Sequence, residues 1–410
     1  MKLIERKDLL KQLIEAQSTP DIKIITGIRR SGKSKLLLAY MDWVRKDDPE
    51  ANIIFVDFRL LENEPLQEYH ALHAYIESHY KEGVANYICI DEVQLCPQFE
   101  LAINSLHAMQ KYDIYLTGSN AFMLSSDLAT LFTGRYIEIA VFPFSFAEYR
   151  MYYGEQELQR QFDEYVVQGG LSGSYLYKTE AKRKQYIRDV YNTIMQRDLV
   201  EKYHIADPEA LTHLMEYMMD NVSNISSPNG IAEGLTGQGI PSNNHTISNY
   251  LDYICSAFVL YKVQRYDVRG KKYLQSLNKY YLVDSGIRYA LLGTRNMDYG
   301  RIYENLVAIE LLRRGYDIYV GKLYQKEVDF VAMRGGEKIY IQVSDDIHSK
   351  ETFEREYSPL LQIKDAYPKY IIARTRVPKY DYHGIQVVDL AEWLVNHVEP
   401  RPSPHTLSAC

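Results

Sequence analysis

The amino-acid sequence predicts an α/β fold that begins with a parallel β-sheet. Five short apolar runs alternate with amphipathic helical stretches in the first third of the chain, at residues 22–26, 52–58, 87–90, 113–117 and 137–141. Strands that are apolar along their whole length are typical of parallel sheets with helices on both faces. A glycine-rich segment follows the first run directly, and the length of 410 residues leaves room for two or three domains.

Composition and charge exclude several broad classes. With 46% hydrophobic and 25% charged residues, the chain has the make-up of a globular protein. The formal net charge of −7 argues against a surface built throughout for nucleic acid, but it leaves room for a small basic face. No apolar run approaches the roughly 20 residues that span a bilayer, and the charged N-terminal segment predicts an amphipathic helix. We therefore expect a cytoplasmic protein with no membrane partner.

The segment after the first apolar run, GIRRSGKS at residues 27–34, matches the phosphate-binding pattern GxxxxGK[ST]. Glycines allow the backbone to curl so that its N–H groups converge on phosphate oxygens at a helix N-terminus. We expect Lys33 to reach the β- and γ-phosphates of ATP and the Ser34 hydroxyl to bind Mg²⁺. The predicted ATP-binding residues of this segment are Gly27, Ile28, Arg29, Arg30, Ser31, Gly32, Lys33, Ser34 and Lys35.

The third apolar run ends in an acidic pair, Asp91 and Glu92, about sixty residues after the phosphate-binding segment. An aspartate at this strand end is placed to bind Mg²⁺, directly or through water. The adjacent Glu92 is placed to polarise the attacking water as a general base, which favours hydrolysis of ATP over binding alone. Together the two motifs predict a site for ATP and Mg²⁺.

The fourth apolar run leads into small polar residues. Thr117, Ser119 or Asn120 could orient the attacking water, and Asn120 is included among the predicted nucleotide-binding residues. An ordinary turn at a strand end explains the same pattern equally well.

The segments GIRRSGKS, YICIDEVQ, IYLTGSN and LFTGRYIEIAVFPFSFAEY together resemble prokaryotic AAA+-like P-loop ATPases joined to a poorly characterised C-terminal half. In AAA+ relatives an arginine of a neighbouring subunit often stabilises the charge of the transition state. The resemblance implies Arg135 as that catalytic arginine, with Arg197 as a second candidate, and a homo-oligomer as the assembly. An ion-pairing arginine at a helix end remains the alternative for each.

The middle of the chain has the element order of a winged helix. A predicted helix at residues 246–258 is followed by two strand-like runs at 259–266 and 272–277, while residues 226–241 predict a loop or a weak helix with turns. Basic residues that could contact DNA phosphates lie in or near the second half of this region: Lys262, Arg265, Arg269, Lys271 and Lys272. Winged helices also bind proteins, and a basic hairpin is often only a solvated turn, so DNA and a protein partner both stay open.

The last hundred residues resemble the PD-(D/E)xK nuclease fold, a small α/β restriction-endonuclease-like domain. Glu304 matches its helical acid and Asp329 its strand aspartate. Gln342 stands where a glutamate is needed and Ser344 where a lysine is needed, so the chemistry for Mg²⁺-dependent cleavage is incomplete. The domain could instead bind nucleic acid, a protein or the ATPase part of a neighbour, and the two acids could form structural salt bridges.

The sequence thus predicts five parts: an ATPase core (1–143), a helical lid or linker (144–210), a winged-helix-like domain (211–296), a nuclease-like domain (297–398) and a disordered tail (399–410). Two hypotheses cover the whole protein. The first is a Mg²⁺-dependent ATPase that couples hydrolysis to work on nucleic acid. The second is an ATP-dependent switch whose C-terminal half binds a protein partner and cleaves nothing. A small-molecule kinase fits less well, because the Asp-Glu pair suits hydrolysis.

Overall fold

The computed structural model describes residues 4–118, 132, 135–294 and 298–396. The strands in these ranges are β1 (Ile22–Thr26), β2 (Asn52–Asp57), β3 (Asn86–Asp91), β4 (Asp113–Thr117), β5 (Tyr136–Ala140), β6 (Leu260–Asp267), β7 (Lys272–Leu282), β8 (Asp317–Leu323), β9 (Lys326–Arg334), β10 (Glu337–Ser344), β11 (Lys369–Ala373), β12 (Tyr380–Tyr382) and β13 (Ile385–Asp389).

The α-helices in the same ranges are α1 (Lys7–Glu15), α2 (Lys33–Asp47), α3 (Tyr69–Ser78), α4 (Phe99–Ala108), α5 (Phe146–Tyr153), α6 (Leu158–Gln168), α7 (Glu180–Thr193), α8 (Pro208–Asp220), α9 (Pro228–Gly237), α10 (Asn244–Ser256), α11 (Ser285–Leu292), α12 (Tyr299–Arg313), α13 (Lys350–Leu361) and α14 (Leu390–Val395). A π-helix (Ile194–Glu201) continues α7. Within the described residues, no helix is both long enough and apolar enough to cross a bilayer.

The chain packs into two compact units. Unit 1 contains Met1–Phe144, Val167–Lys262 and Tyr280–Asn296, and unit 2 contains Ser145–Val166, Val263–Lys279 and Met297–Cys410. The chain therefore passes from one unit to the other more than once. The five-part division stays a prediction, and its tail lies outside the described residues.

Unit 1 contains the parallel sheet that the sequence predicts. Its five strands follow the order β2-β3-β4-β1-β5, and every pair of neighbours runs parallel. Consecutive residues of β1 belong to different hydrophobic clusters, Ile24 to one with Ile90 and Ile25 to another with Tyr40. Because side chains alternate along a strand, the sheet is covered on both faces, as continuous apolar strands require.

Two local features explain the helices in the middle of the chain. The segment that suggested a loop or a weak helix forms α9, because Ser227 accepts a hydrogen bond from the Gly230 backbone and Pro228 occupies the first turn. The predicted helix that begins near residue 246 is α10, which Asn243 caps through the Thr246 backbone.

A second, eight-stranded mixed sheet has the order β12-β13-β11-β10-β9-β8-β6-β7, and its strands β8 to β13 lie wholly in unit 2. Strand β6 pairs in parallel with β8, from Arg265 beside Val320 to Asp267 beside Lys322. Tyr266 of β6 packs into the hydrophobic cluster of this sheet. The two strands predicted as a wing are therefore part of a larger sheet, and the winged helix itself stays a prediction.

Candidate functional site

The phosphate-binding segment forms the tight loop between β1 and α2. Gly27 and Gly32 have φ angles of +132° and +108°, which favour glycine. A Cβ on Gly27 would lie 2.1 Å from the backbone oxygen of Val141, so a side chain does not fit there. The loop leads directly into α2, whose N-terminus begins at Lys33 and carries partial positive charge.

Lys33 is buried and lies across this loop. Its Nζ donates hydrogen bonds to the backbone oxygens of Gly27 at 2.8 Å and Ile28 at 3.0 Å. Burial lowers the pKa of Lys33 to about 8. In the described part of the chain, the buried hydroxyl of Ser31 has no hydrogen-bond partner. A curled loop with a cation and an unsatisfied hydroxyl fits a ligand that supplies phosphate oxygens.

Asp91 joins the two predicted motifs. The Ser34 hydroxyl donates to its Oδ1 at 3.0 Å, and the Thr117 hydroxyl donates to the same oxygen. Burial raises the pKa of Asp91, against the effect of these two hydrogen bonds. A serine hydroxyl beside a carboxylate is a set of hard oxygen donors of the kind that Mg²⁺ prefers.

Glu92 follows Asp91 in a left-handed backbone conformation, with φ of +58°. Its backbone N–H donates to the Thr117 hydroxyl at 3.1 Å, and Gln94 donates to its carboxylate. A non-glycine residue in this conformation is strained and is held by its surroundings, as is common at functional sites. Thr117 thus belongs to the site, while the candidates Ser119 and Asn120 lie outside the described residues.

Arg59 and Asp57 also belong to this cluster, although the sequence did not single them out. Strands β2 and β3 pair so that Asp57 lies beside Asp91. Arg59 donates to the two carboxylate oxygens of Asp57 at 2.9 and 2.7 Å, and its Nη2 also donates to Asp91 Oδ2. The hydrogen bonds to Asp57 raise the pKa of Arg59 above its usual value. The signal in the sequence is weak: Asp57 is the next-to-last residue of the second apolar run, and Arg59 directly follows that run.

The phosphate loop is tied to the π-helix through a second arginine. Arg29 donates to both oxygens of the buried Asp198, at 3.0 and 2.7 Å. This hydrogen-bonded pairing raises the pKa of Arg29. The neighbouring Arg197, the weaker candidate for a catalytic arginine, is exposed. Sequences cannot show this link, because Arg29 and Asp198 are 169 residues apart.

The remaining predicted residues of the nucleotide site differ in exposure. Arg30 and Lys35 are exposed, whereas Ile28 packs inside unit 1. Arg135 is exposed at the start of β5, where its backbone oxygen accepts from Ile22. The phosphate loop follows the other end of β1, which at about 3.3 Å per residue is roughly 16 Å away. Arg135 therefore does not reach the site of its own chain, and its role in a neighbour's site stays a prediction.

In unit 2 the predicted acids and their neighbours line a cavity of about 590 Å³. The backbone N–H of Val343 donates to Asp329 Oδ2 at 2.7 Å, and the backbone N–H of Asp329 donates to Gln342 Oε1 at 2.8 Å. The amide nitrogen of Gln342 donates to Glu356 Oε2 at 2.8 Å. Both ends of the Gln342 amide are thus engaged, and Glu356 is a buried carboxylate that sequence reasoning missed.

A buried lysine neutralises the acids of this cavity. Lys279 of β7 lies 2.8 Å from Glu304 and 2.6 Å from Glu327. Burial opposes its charge, but Glu304, Asp329 and Glu327 raise the pKa of Lys279 above its usual value. Burial, and then the charge of Glu304, raise the pKa of Asp329 well above its usual value. Across the described ranges, no group of three His, Cys, Asp or Glu side chains is arranged to hold a metal ion.

The basic residues near the predicted wing are mostly exposed. Lys262 forms a long ion pair with Asp252 at 3.7 Å, and Arg269 lies over the ring of Tyr324. Asp267 accepts hydrogen bonds from the backbone N–H groups of Arg269 and Gly270, which shapes the turn between β6 and β7. Exposed cations on a defined turn are compatible with phosphate contacts, and they are equally compatible with a solvated surface.

The phosphate loop, the strand-end acid and the covered parallel sheet define a P-loop ATPase domain of the AAA type. A family model described as an AAA domain matches residues 19–150, and a second, described as a domain of unknown function (DUF8612), matches residues 159–298. The chain belongs to the same family as an uncharacterized protein of Haemophilus influenzae, which is 35% identical over 399 residues, or 96% of this chain and 99% of that protein.

Other relatives are more distant. Uncharacterized protein MJ1544 of Methanocaldococcus jannaschii is 27% identical over 372 residues, which are 87% of this chain and 82% of that protein. Among solved structures, the Walker-type ATPase PABY2304 of Pyrococcus abyssi is 14% identical with a TM-score of 0.43, and the match covers 71% of this chain and 96% of that one. Domain III of the replication initiation protein DnaA of Thermotoga maritima is 14% identical with a TM-score of 0.30, over 48% of this chain and 89% of that one.

Proposed function

We propose that the protein is a Mg²⁺-dependent ATPase that converts ATP and water to ADP and phosphate. The observation that carries this proposal is the contact between Ser34 and Asp91, which unites the phosphate loop and the strand-end acid in one site. Ser34 and Asp91 would hold the metal, and Lys33 would bind the phosphates. When bound, Mg²⁺ supplies positive charge that offsets the charge of the phosphate oxygens.

Glu92 acts as the general base in this proposal. Its carboxylate accepts the proton of the attacking water, and its position directly after Asp91 in a left-handed backbone conformation supports this role. Thr117 contacts both Asp91 and the Glu92 backbone, so it fixes the relative position of the metal-binding acid and the base. The residues of the phosphate loop bind and orient the nucleotide.

ATP hydrolysis by the purified protein, with and without DNA across a salt series, tests the function and its purpose together. Phosphate contacts weaken steeply as salt rises. Stimulation by DNA that fades with salt would support work on nucleic acid and direct attention to the basic turn of residues 267–272. Slow turnover that is indifferent to DNA would support a nucleotide-dependent switch with a protein partner. Absence of both ATP binding and turnover would contradict the proposal.

The cavity of unit 2 favours the switch hypothesis for the C-terminal half. Lys279 forms ion pairs with Glu304 and Glu327, and Gln342 and Ser344 replace the usual acid and lysine. A fixed ammonium group among the carboxylates competes with a divalent cation for the same oxygens. We therefore expect no Mg²⁺-dependent nuclease activity and a role in binding a protein partner.

A nuclease assay with Mg²⁺ or Mn²⁺ on single- and double-stranded DNA and RNA tests this second candidate. The expected result is no cleavage by the wild type. Cleavage that disappears in Asp329→Asn, while Glu92→Gln retains it, would contradict the proposal and restore the nuclease hypothesis. The second variant is the control, because Glu92 belongs to the ATPase site of the other unit.

A further inference from the structure

Arg59 is the arginine that touches the metal-binding acid of the proposed ATP site. It lies two residues beyond β2, and its backbone N–H donates to Asp57 Oδ1 at 3.0 Å. Its Nε and Nη2 form the two parallel hydrogen bonds with Asp57, and Nη2 also reaches Asp91. Asn63 donates to the Asp57 backbone oxygen at 2.9 Å, so the short segment after β2 is held in place.

The two carboxylate oxygens of Asp91 have different partners. Oδ1 accepts from the hydroxyls of Ser34 and Thr117, while Oδ2 accepts from Arg59. Asp91 is 1% exposed, and a buried carboxylate is costly unless a cation or hydrogen bonds compensate for it. Arg59 supplies that cation from the solvent side, since its side chain is 48% exposed.

Three other arginines of unit 1, Arg29, Arg135 and Arg197, are less well placed to act within the same chain. Arg29 is held by both oxygens of the buried Asp198. Arg135 lies at the opposite end of β1, and Arg197 is exposed on the π-helix. Within the described residues, the hydrogen bonds of Arg59 use its backbone N–H, Nε and Nη2, and a guanidinium has further N–H donors at Nη1.

We propose that Arg59 is a catalytic arginine supplied by the same chain: it pairs with Asp91 as the structure shows, and it contacts the γ-phosphate oxygens during hydrolysis. This inference rests on the proposed ATPase function. Mg²⁺ held by Ser34 and Asp91 would supply positive charge to the same carboxylate, and the Arg59 guanidinium would then be available to phosphate oxygens. The two parallel hydrogen bonds to Asp57 keep Arg59 at the site. The planar N–H donors of the guanidinium suit the negative charge that develops on the transferred phosphoryl group.

Binding of a transition-state analogue tests this role without relying on turnover. The affinity of a fluorescent ADP analogue is measured for wild type, Arg59→Ala and Arg59→Gln. Each titration contains Mg²⁺ and is made first without and then with aluminium fluoride. Both variants should bind the ADP analogue within about threefold of wild type and should lose the tighter complex that aluminium fluoride gives. They should also lower kcat about 100-fold or more with a much smaller change in KM.

A purely structural role predicts a different result. If Arg59 only neutralised Asp57 and Asp91, its removal would weaken ADP and the analogue complex alike. Equal losses in both measurements, or an analogue complex and kcat within threefold of wild type, would overturn the proposal. Arg45→Ala is the matched control, because Arg45 is an exposed arginine on α2 that pairs only with Asp42 in the contacts of the described residues. Arg59→Gln keeps a hydrogen-bonding side chain, so the test survives if the alanine variant misfolds.

Mixed assemblies decide which chain supplies the arginine. Lys33→Ala subunits lack a working phosphate loop but keep Arg59. Mixing them with Arg59→Ala subunits should leave turnover at the low level of the separate variants, and restored turnover would overturn the same-chain assignment. Failure of the ATPase proposal itself looks different, because the wild type would then bind no nucleotide and hydrolyse none.

Discussion

Asp91 in unit 1 and Asp329 in unit 2 are both aspartates on β-strands with a cation nearby, yet Asp91 is buried, Asp329 is half-buried and their surroundings differ. Asp91 pairs with Arg59, whose side chain is 48% exposed, and lies beside a glycine-rich loop. Asp329 lies near Lys279, whose side chain is 4% exposed and which binds two other acids. The half-exposed Arg59 is accessible to a ligand, whereas the buried Lys279 is held by two ion pairs beside the cavity of unit 2. We therefore expect the Asp91 cluster to bind a ligand and the Lys279 ion pairs to stabilise unit 2.

The largest effect on turnover should come from Glu92, the proposed base of the ATP site in unit 1. Glu92→Gln removes the group that accepts the proton while keeping its size, so kcat should fall by about 10²- to 10⁴-fold. Nucleotide binding should remain, measured by fluorescence titration beside a phosphate-release assay. Lys33→Ala is the control that should lose binding as well, and turnover preserved in Glu92→Gln would show that another group is the base.

Removing the ion pairs of Lys279 in unit 2 should instead lower the free energy of unfolding. Lys279→Met leaves Glu304 and Glu327 without their shared cation, and removal of one partner of a buried ion pair typically costs about 3–5 kcal/mol. Urea unfolding of the variant measures this loss in the free energy of unfolding. The double variant Lys279→Met with Glu304→Gln should recover part of it, because one uncompensated charge is gone. ATP turnover of a folded variant should be unaffected. If Lys279→Met is as stable as wild type, these ion pairs do not stabilise the fold.

Nucleotide binding should depend on pH through Lys33, which belongs to the proposed ATP site of unit 1. Burial lowers the pKa of Lys33 to about 8, and phosphate binding requires its charged form. Affinity is therefore complete below pH 8 and falls as pH rises above it, by up to about tenfold per pH unit, because binding must then take up a proton. Fluorescence titrations at pH 7, 8 and 9 measure the change. Lys33→Arg, whose guanidinium stays charged, should give a flat profile, and a flat wild-type profile would contradict the expectation.

The smallest effect should come from Arg135, which is exposed at the far end of the parallel sheet. Arg135→Ala should leave nucleotide binding unchanged, and it should lower turnover only if subunits assemble and exchange this arginine. Turnover measured against protein concentration tests the point. Restored turnover on mixing Arg135→Ala with Lys33→Ala subunits would support its role in a neighbour's site. An active monomer that the change does not affect would exclude that role.

Agreement between sequence and structure is best where the relevant contacts are local. All five predicted strands of the parallel sheet are present within one residue at each end, because their continuous apolar pattern reports burial on both faces. Agreement is weaker in the middle of the chain. The helix α9 was ambiguous because glycine and proline dominate its composition, and the cap at Ser227 and the first-turn position of Pro228 make those residues compatible with a helix. Strands β6 and β7 were predicted correctly as elements, but nothing local indicated that β6 pairs with β8.

The phosphate loop could be predicted from the sequence alone, since eight consecutive residues contain the glycines, the lysine and the serine that phosphate and metal binding require. The apolar run before them also predicts that Asp91 and Glu92 lie at a strand end. Parallel strands have their carboxyl ends at one edge of the sheet, so these acids are expected near the phosphate loop. Only the tertiary structure decided which cations accompany these acids. Arg59 meets Asp91 across 32 residues and Lys279 meets Glu304 across 25, through pairings of strands and helices that no short pattern encodes. The physical reason is that an ion pair depends on distance and burial in space, while a motif records only separation along the chain.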